Sequence, residues 1–249
     1  MSTWSCDTEA LGAEARKHFA SLDAVFALQG ERIARDPLSE VLRIEADGRA
    51  YYVKRYTGAG KNPLRRWFGR PRVRAEWENL QAFRGWGIPT AEVVAHGLER
   101  DGATFSRGAL VTAGIPGTAD LARLAQRDDS RLADPAWIAR VSHQVARITR
   151  ILHGHRFAHN DLKWRNLLVD EGPNPTVYLI DCPSGAFWRG PLLEYRIVKD
   201  LACLDKVARH RLSRTRRLRF YLDYTGHPRL LPADKARIAR IVHFFEGRE

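Results

Sequence analysis

The sequence predicts an α+β fold with a small β-rich first lobe and a helical second lobe, and three observations carry that reading. Short apolar or alternating runs crowd the stretch between Val41 and Ala113. One long amphipathic segment opens at Asp134-Pro135. Helical patterning then dominates from about residue 191 to the end. The lobes are expected to span residues 1–113 and 114–249, and a chain of 249 residues is long enough to bury a core in each.

In chain order, residues 10–28 read as a helix, with Leu11, Ala15, Phe19, Leu22 and Phe26 at helical spacing. Val41–Ile44 and Ala50–Tyr56 read as strands. They flank Glu45-Ala46-Asp47-Gly48, and Asp-Gly is a strong hairpin turn because both positions accept positive φ. Helical periodicity returns over 73–85 and stops at Gly87-Ile88-Pro89. Further strands are expected near 91–96 and 108–113. In the second lobe, Ile138, Val141, Val145, Ile148 and Leu152 mark a helix over 135–154, with Asp134 as cap and Pro135 in its first turn. Leu167–Val169 and Val177–Ile180 are short strands around the turn-rich Asp170-Glu171-Gly172-Pro173-Asn174.

Composition narrows the classes of function. Apolar residues make up 44% and charged residues 28%, ordinary for a globular chain. No apolar run approaches the roughly 20 residues that span a bilayer, and Met1–Gly12 shows no secretory signal. Cys6, Cys182 and Cys203 are scattered in a way that fits neither a disulfide framework nor a zinc site, so a reducing cytoplasm is the expected home. The net charge of +12 is concentrated: eight Lys or Arg and no acid lie between Lys54 and Arg74, and six Arg lie between Arg209 and Arg219. Such clusters attract polyanions, among them nucleic acid, anionic lipid and phosphorylated glycan.

The chemistry centres on His159-Asn160-Asp161-Leu162-Lys163-Trp164-Arg165-Asn166. A carboxylate and an amide five residues apart in a loop suit phosphoryl transfer, which asks mainly for positioning and for cations on the phosphates. Asp161 is the candidate base. Asn166 offers a neutral oxygen to Mg²⁺, and Lys163 could neutralise charge on the transferring group. Twenty residues past Asp161, the run Val177-Tyr178-Leu179-Ile180 delivers Asp181, the candidate principal metal ligand. A phosphate-binding lysine must then come from an earlier strand, and Lys54 in Tyr51–Tyr56 qualifies for the ATP phosphates. Glu76 on the 73–85 helix is the carboxylate best placed to fix it. Glu78 points roughly 200° away around a helix, so only one of the two faces the lysine. Gly58-Ala59-Gly60-Lys61 mimics a phosphate loop but lacks the earlier Gly, which is Arg55, and the following Ser or Thr.

These segments resemble the lipopolysaccharide kinase family, the Kdo/heptose (WaaP-type) kinases of Gram-negative inner-core assembly, distant relatives of protein kinases. The resemblance runs through Val53-Lys54-Arg55-Tyr56, Arg74-Ala75-Glu76 with Gly87-Ile88-Pro89-Thr90, His159–Asn166, Leu179-Ile180-Asp181 and Lys199-Asp200-Leu201-Ala202-Cys203-Leu204, covering roughly residues 40–225. It implies a protein-kinase-like two-lobed fold, with ATP and Mg²⁺ as cofactors and Asp200 bracing the catalytic loop. It also implies a sugar hydroxyl of the lipopolysaccharide core as acceptor.

Departures from protein kinases point the same way. Cys182-Pro183 follows Asp181 where Phe-Gly is usual, Asn160 stands in place of Arg, no Ala-Pro-Glu follows, and Asp36-Pro37-Leu38-Ser39 lacks a Gly-rich pattern. A constitutively competent glycan or small-substrate kinase fits these losses better than a regulated protein kinase. The alternatives are another kinase-like phosphotransferase, on a small molecule or a protein, and a pseudokinase or nucleic-acid module. A cationic aminoglycoside would need an acidic pocket, intact Lys54, Asp161, Asn166 and Asp181 argue against a dead enzyme, and no nucleic-acid-binding fold is recognisable. The basic stretch around Trp67 and Phe68 predicts peripheral attachment to the cytoplasmic face of an anionic inner membrane.

Overall fold

The computed structural model describes residues 2–58, 69–172 and 174–247. The chain is α+β, with a β-sheet N-terminal region and a helical C-terminal region, as the sequence predicts. It divides into two compact units, Met1–Ala82 with Thr90–Pro116, and Phe83–Pro89 with Gly117–Glu249.

The first unit is built on a six-stranded antiparallel sheet. In chain order its strands are β1 (Ser2–Cys6), β2 (Glu31–Asp36), β3 (Ser39–Ala46), β4 (Arg49–Tyr56), β5 (Val93–Asp101) and β6 (Thr104–Ala113), and their spatial order is β1-β5-β6-β4-β3-β2. β3 and β4 meet at Asp47-Gly48, where φ is 50° and 72°. That is the double positive-φ turn whose twist matches a hairpin. One sheet face carries Leu42, Ile44, Tyr51, Val53 and Val111 against Leu11, Ala15, Phe19, Leu22 and Val25.

The first four of those last five, with Phe26 packed partly buried against the same cluster, are the apolar stripe expected of one helix over 10–28, but the structure breaks it in two: α1 (Ala13–His18) and α2 (Leu22–Ala27). The cause is local. Ser21 takes extended backbone and its hydroxyl accepts from Ala24 N at 3.1 Å, capping a new helix. The first helix is capped from across the chain, with the Asp47 carboxylate accepting from Glu14 N and Ala15 N at 3.2 and 2.9 Å. Buried Arg55 donates to the carbonyls of Val25 and Leu28 at 2.9 and 2.6 Å, holding the end of α2 on the sheet. The strands β1 and β2 had no strong sequence signal; both lie at sheet edges. Helix α3 (Arg72–Gly85) starts in this unit.

The second unit is organised around α5 (Pro135–Gly154), which buries Trp137, Ile138, Val141, Val145, Ile148 and Leu152 and is capped by Asp134 accepting from Ala136 N at 2.8 Å. It is preceded by β7 (Thr118–Asp120) and α4 (Leu121–Gln126), neither marked in the sequence reading. After α5 come β8 (Phe157–Ala158), β9 (Leu167–Asp170), β10 (Val177–Leu179) and β11 (Ala186–Phe187). They form two small sheets, β10-β9-β7 and β11-β8. Three helices finish the chain: α6 (Gly190–Arg211), α7 (Arg214–Thr225) and α8 (Pro232–Val242). Ala146 of α5, Val198 and Leu201 of α6, Tyr221 and Tyr224 of α7 and Ile241 of α8 share one core.

Candidate active site

The sequence placed candidate residues in both units. In the first, the parity of β4 sends Tyr51, Val53 and Arg55 to the α1/α2 face, and so turns Lys54 and Tyr56 to the other. There Lys54 Nζ lies 3.2 and 3.1 Å from the two carboxylate oxygens of Glu76 on α3, and the Tyr56 hydroxyl donates to the same carboxylate. The pair is nearly dry, with 14% of the Lys54 side chain and 4% of the Glu76 side chain exposed. Glu78 is engaged elsewhere, accepting from Arg70 and Arg74 at 2.8 and 2.7 Å. Those two arginines belong to the basic stretch read as a membrane contact. Residues 59–68, including Lys61, Arg65, Arg66, Trp67 and Phe68, lie outside the described residues.

In the second unit the loop from His159 to Asn166 leaves β8 and enters β9. Asn160 adopts φ 65°, a left-handed conformation that asparagine tolerates better than the arginine usual in protein kinases. Its Nδ2 donates to Ser184 O at 2.8 Å, tying the loop to the segment after Asp181. Asp161 Oδ1 lies 2.5 Å from Lys163 Nζ, and its Oδ2 accepts from Arg165 Nη2 at 3.1 Å. Burial alone would raise the Asp161 carboxyl, but Lys163 and Arg165 outweigh it and hold the group below its ordinary value. Asn166 is buried, and its Nδ2 donates to Asp161 O at 2.8 Å, which fixes the amide and makes Oδ1 its remaining acceptor. Ile180 N donates to Asn166 O at 3.0 Å, so the residue before Asp181 is bound directly to the loop. Asp181 itself sits at φ 60° past the end of β10.

The loop is braced from within. Asp200 on α6 is fully buried and accepts from His159 N at 2.7 Å. His153 of α5 lies 3.5 Å from the same oxygen through Nε2, and its Nδ1 is 2.9 Å from the hydroxyl of Tyr224 on α7. Trp164 donates to Leu204 O at 3.0 Å, a second tie from loop to α6. Burial pushes the His159 imidazole down, against the pull of the carboxylates of Asp200, Asp181 and Asp161, so the ring is neutral near pH 7. Asp200 is thus bonded to the start of the loop at His159 N, and the residue before Asp181 to its end at Asn166 O. Arg165, His153 and Tyr224 were not singled out in the sequence, and Asn160 was noted only as a departure from protein kinases; the spacing of Arg165 from Asp161, four residues, was the available signal for the first.

With Asp161, Asn166 and Asp181 on one braced loop system, comparison with known proteins becomes decisive. The model of the lipopolysaccharide kinase (Kdo/WaaP) family matches residues 20–223. The chain belongs to this family. It is 29% identical over 144 residues to the lipopolysaccharide core heptose(I) kinase WaaP of Pseudomonas aeruginosa, an alignment covering 56% of this chain and 54% of that protein. The chain thus spans about half the length of the curated relative it matches. A solved structure of WaaP in complex with acyl carrier protein superposes with a TM-score of 0.72 at 27% identity, covering 90% of this chain and 91% of that one. The fold is therefore kinase-like, and all six candidate residues lie inside the family match.

Proposed function

We propose that this protein is an ATP-dependent kinase that phosphorylates a heptose or Kdo hydroxyl of the lipopolysaccharide inner core. The observation that carries the reading is the braced loop holding Asp161 and Asn166 beside Asp181, within a family of lipopolysaccharide kinases. Residues 1–113 act as the nucleotide-holding lobe and 114–249 as the catalytic lobe.

The donor sets suit the cofactors. Lys54, held by Glu76, presents a fixed cation for the α- and β-phosphates of ATP. Asn166 and Asp181 offer hard oxygen ligands of the kind Mg²⁺ takes alongside phosphate, and Asn166 is already oriented by its bond to Asp161 O. ATP·Mg²⁺, when bound, supplies the γ-phosphoryl group and the charge that offsets its oxygens. Asp161 orients the sugar hydroxyl and accepts its proton. A carboxylate held below its ordinary pKa is a weak base, which serves a loose transition state where proton transfer is not the main barrier. Lys163 is bonded to Asp161 yet 43% exposed, so it can shift toward developing phosphoryl charge without leaving a buried site empty.

The acceptor would reach the enzyme as a glycolipid at the cytoplasmic face of the inner membrane, with the protein attached peripherally. No helix among the described residues is long and apolar enough to cross a membrane. A second partner follows from the solved relative's acyl carrier protein. The C-terminal unit contains an apolar cavity of about 440 Å³ lined by residues including Trp137, Val141, Trp164, Leu204 and Leu218, and an acyl chain would fit it. Phosphate analysis of core oligosaccharide from cells lacking the gene tests the leading reading. Loss of one phosphomonoester, restored by the wild-type gene and not by Asp161→Ala, is expected; an unchanged core would rule the acceptor out.

A further inference from the structure

Immediately beyond Asp181 the chain exposes an unusual amount of apolar surface. Phe187, Leu192 and Tyr195 are 62%, 59% and 41% exposed, the first two the most exposed large apolar side chains among the described residues. Leu192 and Tyr195 stand three apart on the first turns of α6 and so share a face. Phe187 is on β11, where it pairs with Phe157 and contacts the rings of Trp86 and Phe157 at 6.0 and 5.3 Å.

The charges flanking these residues are mostly basic. Arg156 and Arg189 are exposed beside Phe187, and Arg196 stacks 4.4 Å over Trp188. Between Cys182 and Lys199 the sequence holds a single acid, Glu194, and it is bound by Arg237 and Arg240 at 2.9 and 3.1 Å. Aromatic and aliphatic side chains ringed by uncompensated arginines are the composition of a surface that sits at an anionic lipid interface.

The position of the patch matters as much as its chemistry. β8 and β11 form one ribbon: Phe157 is paired with Phe187, and Asp161 follows Phe157 by four residues. Asn160 donates to Ser184 O and Trp188 N donates to Arg156 O at 2.8 Å, so the patch and the loop that carries Asp161 are one hydrogen-bonded piece.

We propose that Phe187, Leu192 and Tyr195, flanked by Arg156, Arg189 and Arg196, are a membrane-contact surface that seats the catalytic loop on an anionic phospholipid bilayer. The purpose assigned to it, delivery of a lipid-anchored sugar to Asp161, rests on the proposed kinase function; the binding itself does not.

The test uses the full chain, vesicles of phosphatidylglycerol with phosphatidylcholine or of phosphatidylcholine alone, and the double variant Leu192→Ser/Tyr195→Ser. Wild type should float with the anionic vesicles and not the neutral ones, and high salt should release it. The variant should lose about tenfold or more of that partition, the loss expected from two apolar anchors. Its thermal midpoint and its turnover on water-soluble, deacylated core oligosaccharide should match wild type, while turnover on vesicle-borne glycolipid falls. Arg189→Glu, which leaves the apolar residues in place, should weaken anionic binding alone. Wild-type partition by the double variant would overturn the proposal. So would the same two substitutions abolishing capture by purified acyl carrier protein while vesicle binding persists, since the face would then serve a protein. If wild type phosphorylates no core oligosaccharide, soluble or lipid-borne, the kinase reading fails and the vesicle arm still decides the surface.

Discussion

The two units fix their key charges in opposite ways. Lys54 and Glu76 form a nearly dry pair, further bonded by Tyr56, on a strand and a helix. Asp161 is tied to Lys163 and Arg165 in a loop where those cations are 43% and 60% exposed. A buried pair is rigid because losing either partner strands a charge away from water. An exposed one is weak and exchangeable, since solvent takes its place at small cost. On the proposed function, Lys54 is set for the nucleotide before any ligand arrives, whereas Asp161 and its cations stay free to rearrange with substrate. Rigidity in the second unit is placed one layer deeper, in buried Asp200 and its bond to His159 N.

Breaking each part should separate these roles. The largest effect is expected from Asp161→Ala, which should lower transfer roughly 10²–10⁴-fold while the melting curve stays near wild type. A large drop in melting temperature would mean that the loop carboxylate holds the fold instead. Glu76→Ala should do both kinds of damage. It removes a partner of a lysine that is 14% exposed and of the Tyr56 hydroxyl, and should cost about 3–5 kcal/mol of stability by denaturant unfolding, together with lost nucleotide binding. Unchanged stability would show that the pair is not a rigid element of the first unit.

Asp181→Ala should weaken ATP·Mg²⁺ binding by about tenfold or more in calorimetry, and Asn166→Ala by less, because only Asp181 brings a full charge. Equal affinity in wild type and the Asp181 variant would remove that residue from the metal. The smallest effect belongs to Arg165→Gln. An exposed pair is worth about 0–1 kcal/mol, so stability should stay within about 0.5 kcal/mol and transfer should fall no more than about fivefold. A loss as large as that of Asp161→Ala would make Arg165 part of the chemistry.

Much of this arrangement was legible where local chemistry decides it. Asp47-Gly48 specified the β3–β4 turn, and Asp134-Pro135 with a clean apolar period specified α5 almost to the residue. Strand parity and helix spacing were enough to bring Lys54 to Glu76 and to send Glu78 away. What the sequence hid depends on distant partners. β1 becomes a strand because β5 offers it an edge, and β2 is exposed along its whole length, so neither shows a buried face to read. The two-residue strands β8 and β11 exist only as a pair. Asn160 looked like a loss relative to protein kinases. Its left-handed backbone and its bond to Ser184 O give it a positive role that only the folded loop reveals. His153 and Tyr224 read as core residues by helical period, and nothing in the sequence shows that their polar atoms meet in line with Asp200. The break at Ser21 was readable as a cap, but the continuous apolar stripe across it masked the signal.

On the proposed function, the loop around Asp161 transfers phosphate from ATP to a core sugar. Its most direct test is to incubate purified protein with γ-labelled ATP, Mg²⁺ and deacylated inner-core oligosaccharide, and to locate the label by mass spectrometry. One phosphomonoester on a heptose or Kdo hydroxyl is expected with wild type, and essentially none with Asp161→Ala under the same conditions. Label that never reaches the sugar, or that reaches it equally well without the Asp161 carboxylate, would contradict it.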